Sequence, residues 1–146
     1  MSKKFNFRLE PVLKLKHHKV QIAQDSLNQA VKLRNEKDNM IHEQNENRSK
    51  LISTNLQSTK ARDLQAYYHH RDHIDNEIKK LQEEKQRIIE IENIRRSKLN
   101  TAMKEEKVLI KLKEKKLSDY KEEVNREEGK FLDEIAIGKS YSSMKM

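Results

Sequence analysis

Cysteine and tryptophan are missing from the 146 residues, and there are only two glycines and one proline. Without cysteine, disulfides and thiolate metal sites are excluded, a usage compatible with a reducing cytoplasm. So few glycines and prolines leave too little turn chemistry for a fold of many short elements. No apolar run approaches the roughly 20 residues needed to span a bilayer as a helix. Met1-Ser-Lys-Lys-Phe-Asn-Phe-Arg8 is charged but has no apolar stretch behind it, so it does not read as a secretory signal. The motifs of common enzymes are also missing: no Gly-rich phosphate loop, no Gly-x-Ser-x-Gly and no His-Glu-x-x-His.

What is present is charge, 38% of residues against 34% hydrophobic, with a net +8. A chain of this length fits one domain. A Lys-, Glu-, Leu-, Gln- and Ile-rich composition with few helix breakers reads as long helix or coiled coil. Disorder is the alternative for so polar a chain, but here the apolar residues are periodic. The positive balance favours an acidic partner such as nucleic acid, an anionic membrane or a protein surface. On helices, however, charge is usually a solvated face.

The clearest periodicity is Met103, Ile110, Leu117, Val124 and Phe131, one apolar residue every seven on a charged background. It predicts a helix burying one thin seam against another helix. Upstream, Pro11 suits the first turn of a helix carrying a seam of Leu9, Leu13, Val20, Ala23, Leu27, Ala30, Ile41 and Leu51. Lys16, Arg34, Lys37, Gln44 and Arg48 interrupt that seam at positions its register assigns to the interface. Such polar residues weaken a coiled coil but fix its register.

These patterns predict an all-α, antiparallel two-helix coiled-coil hairpin with unequal arms, in a single domain. The first helix is expected over 9–53, a turn over 54–60 with Ser58 or Thr59 as cap, and a longer helix over 61–136. One unbroken helix is the alternative to a turn that lacks glycine and proline. Around Ile88–Ile94 the apolar stripe shifts by a residue, which reads as a stutter. Gly138 reads as the stop of the second helix and 137–146 as a flexible tail. With arms of about 70 and 110 Å, residues from about 110 onward are expected to lack an intramolecular partner and to await another protein. Alternatively, the segment with Phe5 and Phe7 folds back over them, or the protein dimerises there.

Two slender helices offer little shelter for a reaction centre, so the chain reads as a non-enzyme without cofactor or metal. His69 and His73 are four apart on one helix face, but two ligands make a weak metal site, and the bland reading is exposed or partner-contacting histidines. Tyr67 and Tyr68 cannot both enter one narrow seam. An exposed tyrosine near the turn suits a protein contact, while Tyr67 in the seam with Tyr68 as a lone surface residue fits equally well. Cations, among them Lys14, Lys16, Arg95, Arg96 and Lys98, gather toward the opposite end, followed by an acidic stretch from Asp119 to Glu134. Charge banded along a helix pair favours docking to a protein over the continuous cationic face of a nucleic-acid binder.

Phe5-x-Phe7-x-Leu9, Val12-Leu13-x-Leu15, Gln44-Asn-Glu-Asn-Arg-Ser-Lys-Leu51, the Tyr67 region and Tyr120-x8-Gly129-x3-Asp133-Glu-Ile-Ala136 together resemble the FliJ family of the bacterial flagellar type III export apparatus. The likeness spans nearly the whole chain. It implies a stalk-like coiled coil in flagellum biogenesis and motility, cytoplasmic and peripheral at the inner face of the cell membrane. It further implies binding to the hexameric export ATPase, promoting its assembly and activity, and contact with the export gate and export chaperones. The stalks of virulence secretion systems share this layout, and a basic coiled-coil nucleic-acid binder and a homo-oligomer are the other readings. By position and exposure, the expected gate-facing residues near the turn are Met40, Glu43, Asn47, Tyr67, Tyr68, His70 and Ile74. The expected ATPase-facing residues are Lys14, Lys16, Arg95, Arg96, Lys98, Ile110, Leu117, Val124 and Phe131, on a protein expected to be monomeric.

Overall fold

The computed structural model describes residues 4–54 and 61–144, and side chains as far as 142. It contains two helices, α1 (Glu10–Thr54) and α2 (Ala61–Met144), with no strand among the described residues. The antiparallel two-helix hairpin read from periodicity is therefore the observed fold, with α2 much the longer helix at 84 residues against 45. The expected turn and its Ser58 or Thr59 cap lie almost wholly outside the described residues.

Local chemistry sets the helix ends that can be described. At the start of α1 the Glu10 amide donates to the Phe7 carbonyl at 3.1 Å, and Leu13 donates to Leu9 at 2.9 Å. Pro11 has no amide to donate, which is harmless in a first turn, and Glu10 complements the positive end of the helix dipole. At the other end of α1, the Ser53 and Thr54 hydroxyls each donate to the Lys50 carbonyl at 2.9 Å, satisfying an acceptor in the final turn. α2 does not stop at Gly138 but continues to Met144. A glycine ends a helix when it adopts positive φ, and no described glycine does so.

Two compact units are distinguished, Val20–Thr101 and Met1–Lys19 with Ala102–Met146. Within Val20–Thr101, α1 turns Val20, Ala23, Leu27, Ala30, Arg34, Lys37, Ile41, Gln44, Arg48 and Leu51 inward, alternating steps of three and four. α2 answers with Ile74, Ile78, Leu81, Lys85, Ile88, Glu92, Arg95 and Leu99 at the same spacing. Leu27, Ala30, Ile74, Leu81 and Leu99 form its buried apolar core. The stripe does not shift between Ile88 and Ile94, contrary to the sequence reading. The interface positions there are the polar Glu92 and Arg95, while Ile91 and Ile94 face solvent.

The polar interruptions are matched across this pair. Arg34 Nη1 donates to both Glu92 oxygens at 2.7 Å, and Lys37 Nζ to Glu84 Oε2 at 2.7 Å. Lys85 lies 2.6 Å from Asp38, and Arg95 Nη1 donates to the Ser26 carbonyl at 2.8 Å. Arg48 Nε sits 2.7 Å from Asp75 Oδ1, a charge contact whose N–H is not aligned for a hydrogen bond. Partners fall in α2 as they rise in α1, so the helices are antiparallel. Each pair disfavours sliding one helix along the other.

In the other unit, Leu9 just before α1 and Leu13 and Lys16 within it turn inward, and α2 contributes Ala102, Glu106, Leu109, Lys113, Leu117, Tyr120 and Val124. Lys16 meets Glu105 at 3.1 Å, His17 Nδ1 lies 2.9 Å from Glu106, and Lys113 lies 2.8 Å from Glu10. Two sequence expectations are corrected here. Met103 and Ile110 are exposed rather than in the seam, because the interface keeps the phase of Leu99 and shifts only between Lys113 and Leu117. Residues 110–124 are also not partnerless: α1 and residues 4–9 lie against them, as the alternative with Phe5 and Phe7 folded back requires.

Candidate partner-binding surfaces

Two places present side chains suited to recognition, one in each unit. In Val20–Thr101, Gln44, Asn47, Lys50, Leu51, Thr54, His70, His73 and Ile74 line a shallow hollow between the helices. Ile74 forms its floor at 3% exposure, while Asn47, His70 and His73 are exposed at its rim. Beside it the Tyr67 and Tyr68 rings meet edge-on at 5.3 Å, and the Arg71 guanidinium stacks 4.9 Å from the Tyr68 ring centre. Tyr67 is half-buried and Tyr68 exposed, so only one of the adjacent tyrosines turns inward. Met40 and Glu43 are exposed on α1. Of the expected gate-facing residues, Asn47, His70 and Ile74 thus share one hollow, with Tyr67 and Tyr68 on the same helix. Among the described residues no three His, Cys, Asp or Glu side chains gather as a metal site, and His69 and His73 stay exposed.

The expected ATPase-facing cations do not form one free patch. Lys16 is engaged by Glu105, Arg95 by the Ser26 carbonyl, and Arg96 donates to Glu92 at 3.0 Å. Lys14 and Lys98 are exposed. Lys14 and Lys16 belong to one compact unit and Arg95, Arg96 and Lys98 to the other.

The second surface lies on α2. Val124 and Leu117 are half-buried, but from Asn125 to Ser142 every residue except Gly129 is exposed. Phe131 is 63% exposed, and Leu132, Ile135 and Ile137 are exposed with it. Helix burying none of its large apolar residues is unusual unless something else covers them. Sequence reading picked Phe131 from this stretch but not Leu132, Ile135 or Ile137. An apolar density rising after Glu128 was the available signal.

The fold-back of Phe5 and Phe7, offered by the sequence as an alternative, makes a cleft just before that stretch. Phe5 and Phe7 line it together with Leu112, Tyr120 and Val124, and with Asp119, Glu123 and Glu127. The Phe5 and Tyr120 ring centres are 5.6 Å apart.

The Glu84 carboxyl is shifted by its surroundings. The Lys37 hydrogen bond holds the Glu84 carboxyl below the ordinary glutamate range; loss of hydration opposes this, and the charges of Lys37, Lys80 and Arg87 reinforce it. The group serves the helix pairing.

Comparison with known protein families is decisive for this helical pair: the model described as Flagellar FliJ protein matches residues 5–145. The chain belongs to the FliJ family. FliJ proteins are flagellar export-related, and the family is a structural one not known for enzymatic activity. No match was found among curated proteins or among solved structures. No described helix is long and apolar enough to cross a membrane.

Proposed function

We propose that this FliJ-family chain is a non-enzymatic stalk of the flagellar type III export apparatus. It binds the hexameric export ATPase, promotes its ring assembly and turnover, and links it to the export gate and to export chaperones. It works as a monomer at the inner face of the membrane, held there by the apparatus. The observation that supports this reading is the uncovered apolar stretch of α2 around Phe131, Leu132 and Ile135. A helix of that kind suits insertion into a partner with an apolar bore. Contacts that differ from one ring subunit to the next would bias their nucleotide states through differential binding. The hollow at Asn47, His70 and Ile74, with Tyr68 beside it, would meet the gate.

The test is turnover of the purified cognate export ATPase with and without the chain. Stimulation that is lost on Phe131→Asp with Ile135→Asp, while helicity is kept, is the expected result. Unchanged turnover at saturating chain overturns the proposal.

A further inference from the structure

Residues 4–7 belong to neither helix nor strand, yet they are ordered against α2. Two aromatic anchors hold them there. Phe7 is 7% exposed, and Phe5 rests on Tyr120 with its ring plane tilted by 48°. Residues two apart in an extended segment point to the same side, which lets both rings enter one cleft. Lys4 and Arg8 flank the anchors, and the α2 border carries Asp119, Glu123 and Glu127 against a single cation, Lys116. About 940 Å³ of half-open space lies between these residues and α2.

From this geometry we infer that residues 4–7 are a displaceable strap, and that the α2 cleft beneath is a recognition site for a short basic segment with two phenylalanines two apart, supplied by a partner protein. The strap shows what the cleft selects: two rings at alternate positions and cations for the acidic border. Its hold is modest, because burying two rings opposes the ordering of several backbone residues, and the two effects are of similar size. A tethered strap has a high effective concentration, so an incoming segment succeeds only when it binds tightly or is itself delivered locally. The cleft is thereby closed to stray basic peptides and open to a partner already docked. This inference does not depend on which protein covers α2 beyond Val124.

The experiment uses the full chain and a fluorescent peptide, Lys-Phe-Asn-Phe-Arg-Leu, copied from residues 4–9. Phe5→Ala with Phe7→Ala vacates the cleft, and this variant is expected to bind the peptide at least ten-fold more tightly than the wild type by anisotropy. Adding Asp119→Lys and Glu123→Lys should weaken that binding at least ten-fold. Replacing both peptide phenylalanines by alanine should abolish it. Equal affinity for wild type and vacated variant, or no binding to a vacated variant of unchanged helicity, overturns the proposal. If the vacated variant loses its helices, hydrogen exchange on the wild type decides. Amides of Phe7 and Arg8 exchanging at least ten-fold faster than those of Leu13 to Val20 support a strap, and equal protection overturns it.

Discussion

Arg34 and Glu92 form the most sheltered ion pair described in the molecule, one guanidinium nitrogen lying 2.7 Å from both carboxylate oxygens, with Glu92 only 2% exposed. Arg96 supplies a further bond to the same carboxylate at 3.0 Å. A charge so enclosed is tolerable only while it is paired.

Removing Arg34 should therefore be costlier than its partial exposure suggests. Arg34→Met leaves Glu92 buried with Arg96 alone, and a loss of about 3 kcal/mol is expected, at the low end for a broken buried pair. Glu92→Met is expected to cost about half as much, because Arg34 can turn its head toward water. The double Met variant should recover most of the stability. Urea unfolding of the three variants checks the order.

Acidification should weaken the helix pair through Glu84. Its carboxyl is held below the ordinary range by Lys37, so the folded state binds its proton less readily than the unfolded chain does. The contribution is complete above the unfolded pKa, about 4.3 for glutamate, and disappears as pH falls through the folded value. Lys37→Met should flatten this part of the acid limb. Melting temperatures between pH 7 and pH 3 measure the difference.

Which stripe of α2 faces α1 can be tested directly. Leu99→Ala removes a buried side chain and should cost about 2–4 kcal/mol. Met103→Ala sits four residues on but is half exposed, and should change stability by less than about 0.5 kcal/mol. Chemical denaturation of both variants separates the observed interface from the heptad through Met103 and Ile110.

Gly129 and Gly138 lie within α2, and a methyl group added at either would meet nothing within 4 Å beyond the neighbouring helix backbone. Gly→Ala at each should stabilise the local helix by about 0.5–1 kcal/mol. Slower amide exchange around residues 126–140 is the expected readout.

Much of this was legible before the structure. The α1 seam from Leu13 to Leu51 was readable, including its five polar members, because steps of three and four continued through them. The two-helix hairpin and the longer second helix followed from the same pattern. The phase of α2 past Leu99 was not legible from apolar residues alone. There the interface uses Ala102, Glu106, Leu109 and Lys113, while Met103 and Ile110 make a more hydrophobic stripe beside it. Hydrophobicity pointed to the wrong face because Glu106 and Lys113 owe their places to partners, His17 and Glu10, that only the folded pair brings near. Continuing the three-and-four spacing from Leu99 would have found them. The acidic cleft was harder still, since it joins Phe5 to Tyr120, residues 115 positions apart.

The bond between Asp38 and Lys85 has a mechanical sequel. Sliding α1 by one heptad would set Asp38 against Glu92 in one direction, and in the other would bring Arg34 up to Lys85. Either displacement confronts like charges, so within Val20–Thr101 the two helices behave as a rack whose teeth resist shear. A push on one strand is handed to the other with little creep.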